Sequence, residues 1–241
     1  MTLYELRYRL FSIFFNPLNF LVNRKLQQIV KTLPPNAQIL DVGGRRSPYT
    51  IGLKAEITIS ELPRENEIQR SLDLGITEDI IQTLKKNRSN IKTIIFDDMS
   101  HSKLSDASFD CIVAIEVLEH VEEDDVFLQN VQRVLKPNGV FLMTTPNGDY
   151  VVNTNPDHKR HYTQAHLKEL VERYFSEFRI NYGISTGILH QVGWMGNWTI
   201  KRPVRTIAGM LSNIMNLGLS SIKRVESMAQ GTGHHFIIAK K

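Results

Sequence analysis

Short runs of apolar residues alternate with helical segments along most of this chain, and that alternation limits its fold more than any other feature. The runs fall at Gln38–Val42, Ala55–Ser60, Thr93–Phe96, Cys111–Ile115, Val140–Thr144, Phe178–Tyr182 and Phe236–Ala239. Most are apolar nearly throughout, where a strand with one wet face would alternate polar and apolar residues. Strands of this kind, separated by helices, predict a mostly parallel sheet covered on both faces, an α/β fold. One intervening helix is well marked. Phe127, Val131, Val134 and Leu135 share a face, and Lys136-Pro137-Asn138-Gly139 stops it. A second is capped by Thr163 and turns Leu167, Leu170, Val171 and Tyr174 inward.

The ends depart from this pattern. Leu3, Leu6, Leu10 and Ile13 have helical spacing, Asn16-Pro17 interrupts it, and Leu26, Ile29, Val30 and Leu33 resume it before Pro34-Pro35-Asn36. The sequence therefore divides into a helical leader (1–36), an α/β core (37–182), a helical insertion (183–231) and a final strand (232–241). The apolar stretch Leu10–Val22 is broken by Asn16-Pro17, has no small-residue cleavage site after it, and is shorter than the ~20 residues of a membrane span. A single cysteine, Cys111, admits no internal disulfide. These features predict a cytoplasmic protein. The net charge of +4 is too small to require a nucleic-acid partner.

Two features point to a ligand. The first strand ends in Asp41-Val42-Gly43-Gly44, where glycines let backbone approach a ligand and a tight turn is expected to lead into a helix. Glu61 stands 20 residues beyond Asp41 at the end of the next strand, where a carboxylate can accept both hydroxyl hydrogens of a ribose. Together they suggest a nucleotide site. Further along come Asp98-Met99, Ser108-Phe109-Asp110, Glu116-Val117-Leu118-Glu119-His120 and Leu135-Lys136-Pro137-Asn138-Gly139. This ordered set resembles the class I S-adenosylmethionine (SAM)-dependent methyltransferases, especially their small-molecule and glycan branch, over roughly residues 37–182 and the last strand.

The resemblance implies a Rossmann-like, mostly parallel seven-stranded sheet and SAM as cofactor. It implies that Asp41 orders the first loop and faces the methionine amine, directly or through water, and that Gly43 and Gly44 give the cofactor backbone access. It implies further that Glu61 holds the ribose, that Asp98 and the Met99 N–H meet the adenine, and that Glu116 lies at the methionine end. The chain departs from the family at Arg45 and Ser47, where glycines are usual. An arginine there can reach a carboxylate or simply be solvated.

In the same branch a His-x-Arg-x-Tyr/Phe-Thr segment follows strand five, and His158, Arg160, Tyr162 and Thr163 match it. An oxygen acceptor must lose a proton, so His120, His158 and His161 are the candidate bases, with structural roles as the alternative for each. Position favours His120 for the chemistry. His158 and His161 lack an evident third ligand, so no metal is expected. The Asn/Asp-Pro-Pro-Tyr/Phe signature of many amino-methylating nucleic-acid enzymes is absent after strand four. This favours a small-molecule, glycan or lipid-linked acceptor and no nucleic acid.

Residues 206–222 carry no charge and lie between Lys201, Arg202 and Arg205 on one side and Lys223 and Arg224 on the other. Ile207, Met210, Leu211, Ile214 and Leu217 follow helical spacing, so segment 203–225 is either a helical cap packed on the domain or a peripheral contact with anionic lipid. Two rivals to an active methyltransferase remain. One is a catalytically silent SAM-fold binding module, motivated by the altered glycine loop. The other is an NAD-dependent dehydrogenase, which leaves the later motifs unexplained.

Overall fold

The computed structural model describes residues 1–62, 76–194 and 201–241. Residues 195–200 of the expected insertion lie outside the described residues. Seven strands form one sheet: β1 (Gln38–Val42), β2 (Glu56–Glu61), β3 (Ile91–Phe96), β4 (Phe109–Ile115), β5 (Leu135–Pro146), β6 (Glu177–Ser185) and β7 (Thr232–Lys240), in the order β3-β2-β1-β4-β5-β7-β6. Pairing is parallel from β3 through β5 and antiparallel where β7 inserts between β5 and β6. Strand order reverses between β1 and β4, which opens a crevice at their carboxyl ends.

The continuous apolar strands are explained by the two layers they face. Leu40, Ile112 and Ala114 join one core, while Ile39, Cys111 and Val113 join the other. The first core is closed by α4 (Asp124–Val134) and α5 (Gln164–Val171), through Phe127, Leu128, Val131, Leu167 and Leu170. The second is covered by α2 (Pro17–Val30), which buries Leu18, Val22, Leu26 and Ile29. Asn16 caps α2 by accepting from the Leu18 N–H at 2.9 Å, and Pro17 occupies the first turn, where its missing donor costs nothing. Burying Val22 and Leu26 completely stabilises the fold by about 1.5–3 kcal/mol each. Most of the leader's second half therefore belongs to the α/β layers. Ahead of it, α1 (Leu3–Phe11) has a Thr2/Glu5 capping box, and Glu5 reaches across to Ser89, just beyond α3 (Glu78–Asn87).

Two expectations change. No helix follows β1: a single turn at Gly44–Arg46 leads through irregular backbone to β2. In addition, β5 starts at Leu135 immediately after α4, because Leu135 pairs with Phe109 ahead of a register shift. The insertion contains α6 (Ile188–Trp194) and α7 (Pro203–Ser220). The buried face of α7 is small and polar, carrying Gly209, Ser212, Asn213, Asn216 and Ser220 besides Leu217. Asn213 donates to the Phe14 carbonyl at 3.0 Å, and the Ser185 N–H donates to Ser220 Oγ at 2.9 Å. Its apolar stripe points outward.

Candidate active site

A cleft of about 590 Å³ lies over the carboxyl ends of β1, β2 and β4, within the range that takes a nucleotide-sized ligand. Gly43, Glu61, Asp98, Met99, Glu116 and His120 all line it.

Its first wall is the turn after β1. Gly43 adopts φ +68°, a left-handed conformation suited to glycine, and its N–H donates to the Ser60 carbonyl at 2.9 Å. Asp41 and Gly44 do not line the cleft. Asp41 is fully buried and turned into the protein, where it accepts from Ser47 Oγ (3.0 Å), Tyr49 Oη (3.3 Å) and Thr50 Oγ1 (2.9 Å). A Cβ on Gly44 would come within 2.6 Å of the Asp41 Cγ. This glycine therefore makes room for Asp41, and the expectation that it opens the backbone to a ligand is corrected. Asp41 likewise orders the loop but does not face the cleft. Behind it the buried Arg88 donates to the Ser47 carbonyl and to Thr50 Oγ1. Burial pushes the Asp41 carboxyl up to about 6, against the opposing pull of Arg88 and the hydroxyls. Ser47, one of the departures from the family pattern, is thus a hydrogen-bond donor to this carboxylate.

Glu61 closes β2 and is partly exposed on the cleft wall. Its Oε1 accepts from the Arg45 backbone N–H at 2.9 Å. Burial raises its pKa despite that bond and the nearby charges of Arg45 and Arg46. Asp98 caps the turn Met99–His101 by accepting from the Ser100 N–H at 2.9 Å, and its second oxygen lies 3.3 Å from His101 Nδ1. Met99 is buried, and its carbonyl accepts from Asn130. Carboxylates at the end of β2 and just past β3, an uncovered glycine at the end of β1 and apolar Met99, Val117 and Phe127 around the space make a donor and acceptor set that fits SAM.

The opposite wall comes from the end of β4 and the turn after it, through Ile115, Glu116, Val117 and His120; β5, β7 and the His158 segment pack against that turn and do not line the cleft. Glu116 follows β4 with φ +55°, which is uncommon outside glycine. Its Oε1 accepts from Thr144 Oγ1 at 2.8 Å, and its Oε2 lies 3.3 Å from His234 Nε2. Burial pushes this carboxyl up, but the charge of His234 and the bonds from His234 and Thr144 outweigh it and leave the pKa lowered. Glu119 is fully buried. Its Oε2 accepts from Thr145 Oγ1 at 3.1 Å, and burial together with the Glu116 charge pushes its carboxyl well up. His120 Nδ1 lies 3.2 Å from the Asp157 carbonyl. His158 Nδ1 lies 2.9 Å from His161 Nε2, and His161 Nδ1 lies 2.9 Å from the Val151 carbonyl. The structure thus brings His120 and His158 together, their ring centroids 4.7 Å apart, while His161 stands behind His158.

The remaining residues of the His158 segment are structural. Arg160 Nη1 and Tyr162 Oη both donate to Asp124 Oδ2, at 2.6 and 2.8 Å, and Thr163 caps α5. Sequence reasoning missed His234 and His235. The β5–β7 register places them opposite Pro146 and Thr145, at the carboxyl end of β5. Two adjacent histidines in an otherwise apolar last strand were the available signal.

A family model described as "Methyltransferase domain" matches residues 17–185. The chain belongs to the class I SAM-dependent methyltransferases. A Mycolicibacterium smegmatis protein named "Probable S-adenosylmethionine-dependent methyltransferase" is 35% identical over 95 residues, which are 37% of this chain and 37% of that protein. A Tetrahymena thermophila small RNA 2'-O-methyltransferase is 41% identical over 54 residues, 22% of this chain and 12% of that one. A Bradyrhizobium diazoefficiens ubiquinone biosynthesis O-methyltransferase is 26% identical over 104 residues, 38% of this chain and 41% of that one. The chain therefore spans less than half the length of each of these relatives. Among solved structures, a SAM-dependent methyltransferase of Archaeoglobus fulgidus superposes with a TM-score of 0.57 at 17% identity, covering 92% of this chain and 94% of that one, a likeness of fold. SAM is the cofactor of the family.

Proposed function

We propose that this methyltransferase moves a methyl group from SAM to an oxygen of a small-molecule, sugar or lipid-linked acceptor. One observation carries the reading: a histidine with a fixed tautomer stands on the cleft wall. A carbonyl can only accept, so the Asp157 carbonyl requires the proton on His120 Nδ1 and leaves the lone pair on Nε2. A hydroxyl positioned there can give up its proton. SAM, when bound, supplies an electrophilic methyl on a sulfonium, and the rest of the task is positioning. Glu61 would hold the ribose, Asp98 and Met99 the adenine, and Gly43 and Glu116 the methionine end. Asp41 and Gly44 would act indirectly, by setting the turn. His158 would place the acceptor, with His161 fixing its ring.

The test is SAM turnover against a panel of phenols, sugars and lipid-linked sugars, with product linkage read by NMR. His120→Ala should lower kcat by ~10²–10⁴-fold while S-adenosylhomocysteine affinity stays unchanged. Methylation confined to nitrogen, or an RNA product in place of a small one, would overturn the acceptor assignment. SAM binding without turnover of any acceptor would favour a silent binding module.

A lipid-linked acceptor, with the protein held peripherally at an anionic lipid surface, agrees with the outward face of α7. Val204, Ile207, Leu211, Met215 and Leu219 are exposed along it, and Arg202 and Arg205 lie at its start. The adjoining N-terminal segment exposes Leu10, Phe11 and Ile13. Among the described residues no helix is long and apolar enough to cross a membrane. Sedimentation with phosphatidylglycerol vesicles should carry the protein down, phosphatidylcholine vesicles should not, and Ile207→Glu with Leu211→Glu should abolish it. Equal binding to both vesicle types would remove the electrostatic part of this reading.

A further inference from the structure

We propose that a second cavity, between α1, α2 and the loop 48–54, binds an amphiphile whose head is a terminal phosphate. The cavity holds about 690 Å³, enough for a drug-sized molecule. None of its lining residues lines the SAM cleft. A molecule held there occupies a site apart from methyl transfer. The inference therefore rests neither on the oxygen-acceptor reading nor on the outward face of α7.

Long-range hydrogen bonds build the walls of this cavity in advance. Asn23 of α2 donates to the Tyr49 carbonyl at 2.7 Å, which holds the loop 48–54 against that helix. Glu5 of α1 accepts from the Ser89 N–H at 2.7 Å, and Thr2 Oγ1 donates to the Asn87 carbonyl. These two bonds fix α1 at the end of α3. Pro34-Pro35 stiffens the rim ahead of β1. Phe20, Val30 and Leu33 are half-buried in the lining, and Ile51 and Leu53 are buried. They offer an apolar chain a surface that leaves water when it is covered.

The charge of the lining has one sign. Arg9, Arg24, Lys31 and Lys54 line the cavity, and none of these four side chains has an ion pair or hydrogen bond among the described residues. Glu5 is the one acid among the described residues of the lining, and Thr2 and Ser89 already occupy its carboxylate. Cations gathered around apolar walls repel one another and focus a positive field into the space between them, which draws in an anion. The second, independent observation is Tyr8. It lines the cavity, and its hydroxyl is buried without a hydrogen-bond partner among the described residues. A buried hydroxyl left unpaired is costly, and an oxygen of the head group would satisfy it. A terminal phosphate fits this set better than a carboxylate. It carries nearly two charges and three acceptor oxygens, which two arginines, two lysines and a hydroxyl can share. A phosphate alone would leave the apolar wall wet, and a neutral chain would leave the four cations without a counter-charge.

Calorimetry with decyl phosphate, kept below its micelle concentration, tests the site, with inorganic phosphate and decyl glucoside probing each half of the lining alone. Decyl phosphate should bind saturably, and each half-probe should bind weaker by about tenfold or more. Added salt should weaken the binding, because the charges are partly exposed. Arg24→Glu with Lys54→Glu, both at exposed positions, should weaken it by about tenfold or more, and Tyr8→Phe by less. S-adenosylhomocysteine affinity should be unchanged in these variants, which reports that they are folded, and decyl phosphate should not displace it. Ile207→Glu with Leu211→Glu should leave decyl phosphate binding intact, so the site and the peripheral-membrane reading fail separately. Lack of saturable binding by the folded wild type, equal binding of decyl glucoside, unchanged affinity in the charge-reversed variant, or displacement of S-adenosylhomocysteine overturns the site. Vesicles identify the source of the head group. A preference for phosphatidic acid over phosphatidylglycerol at equal surface charge, lost in the charge-reversed variant, assigns it to a membrane lipid. Absence of that preference, with decyl phosphate still bound, assigns it to a free phosphorylated molecule.

Discussion

The two walls of the cleft are built in opposite ways. On the β1–β2 side the buried carboxylate is surrounded by donors: Ser47, Tyr49 and Thr50 all reach Asp41, and Arg88 holds two of the three. Buried atoms without partners occur on both sides, Ser60 Oγ and Arg88 Nε among them on the first, but on the β4–β5–β7 side one belongs to the buried carboxylate itself. Glu119 Oε1, His234 Nδ1 and His235 Nδ1 are buried without partners among the described residues. A carboxylate with every oxygen satisfied is held in place, and one with a free oxygen keeps interaction capacity. The first wall is a scaffold that presents a ligand surface, and the second is where chemistry can be done.

The largest expected effect that tests this contrast is on stability. Asp41→Ala removes the acceptor for three hydroxyls and the counter-charge of buried Arg88, and should cost about 3–5 kcal/mol in urea unfolding. A loss below 1 kcal/mol would mean that the first wall is no scaffold.

Next comes pH, where the walls should pull against each other. His235 is fully buried, next to the Tyr162 carbonyl, Asp149, Tyr182, His234 and Glu116, and burial lowers its pKa to about 4. The unfolded chain takes up this proton near pH 6.5 and the folded one does not, so acidification from about 6.5 to 4 removes stability, on the order of 3 kcal/mol for this group. Asp41, with Arg88 and Tyr49 as its charged or titratable neighbours, has the opposite sign. Its folded pKa of about 6 lies above the unfolded value, so protonation over the range from about 6 to 4 favours the folded state. Between pH 4 and 7 the two contributions largely cancel in wild type, so with rising pH the unfolding free energy should fall in His235→Gln and rise in Asp41→Asn, each relative to wild type. Parallel curves would break the comparison.

A smaller effect sharpens it on the ligand side. Glu61→Ala and Asp98→Ala should each weaken SAM affinity by about 1–3 kcal/mol in calorimetry, with a stability loss of only about 1 kcal/mol from the freed Arg45 and Ser100 N–H groups, less than for Asp41→Ala. Retained affinity in both would sink the assignment of this wall to SAM. The smallest effect concerns Ser47. Restoring the family's usual residue by Ser47→Gly should lower stability by about 1 kcal/mol, because the hydroxyl is part of the Asp41 network. A stabilised variant would show that the serine is a tolerated departure only.

Some of this was legible from neighbours in the chain. Strand positions followed from unbroken apolar runs, since alternate side chains enter opposite cores, and the cap at Thr163 depends on a donor three residues away. The turn at Gly43 and the carboxylates ending β2 and β3 were likewise set by local sequence, and the family could be read from their order. The order of strands and the direction of side chains were not. Asp41 turns inward because hydroxyls at 47, 49 and 50 and a guanidinium at 88 offer it more than the cleft does. The face of α7 that docks is polar because Ser185 and the N-terminal segment present backbone groups there, so its apolar stripe is left outside. Glu119, His120 and His158 meet because long-range bonds, the Lys159 N–H to the Glu119 carbonyl, His120 Nδ1 beside the Asp157 carbonyl and Arg160 to Asp124, hold the two segments together. Local sequence determines what a backbone segment becomes, since its hydrogen bonds close within a few residues. The partner of a buried polar side chain is chosen from whatever the tertiary fold brings near, and only the assembled structure decided it.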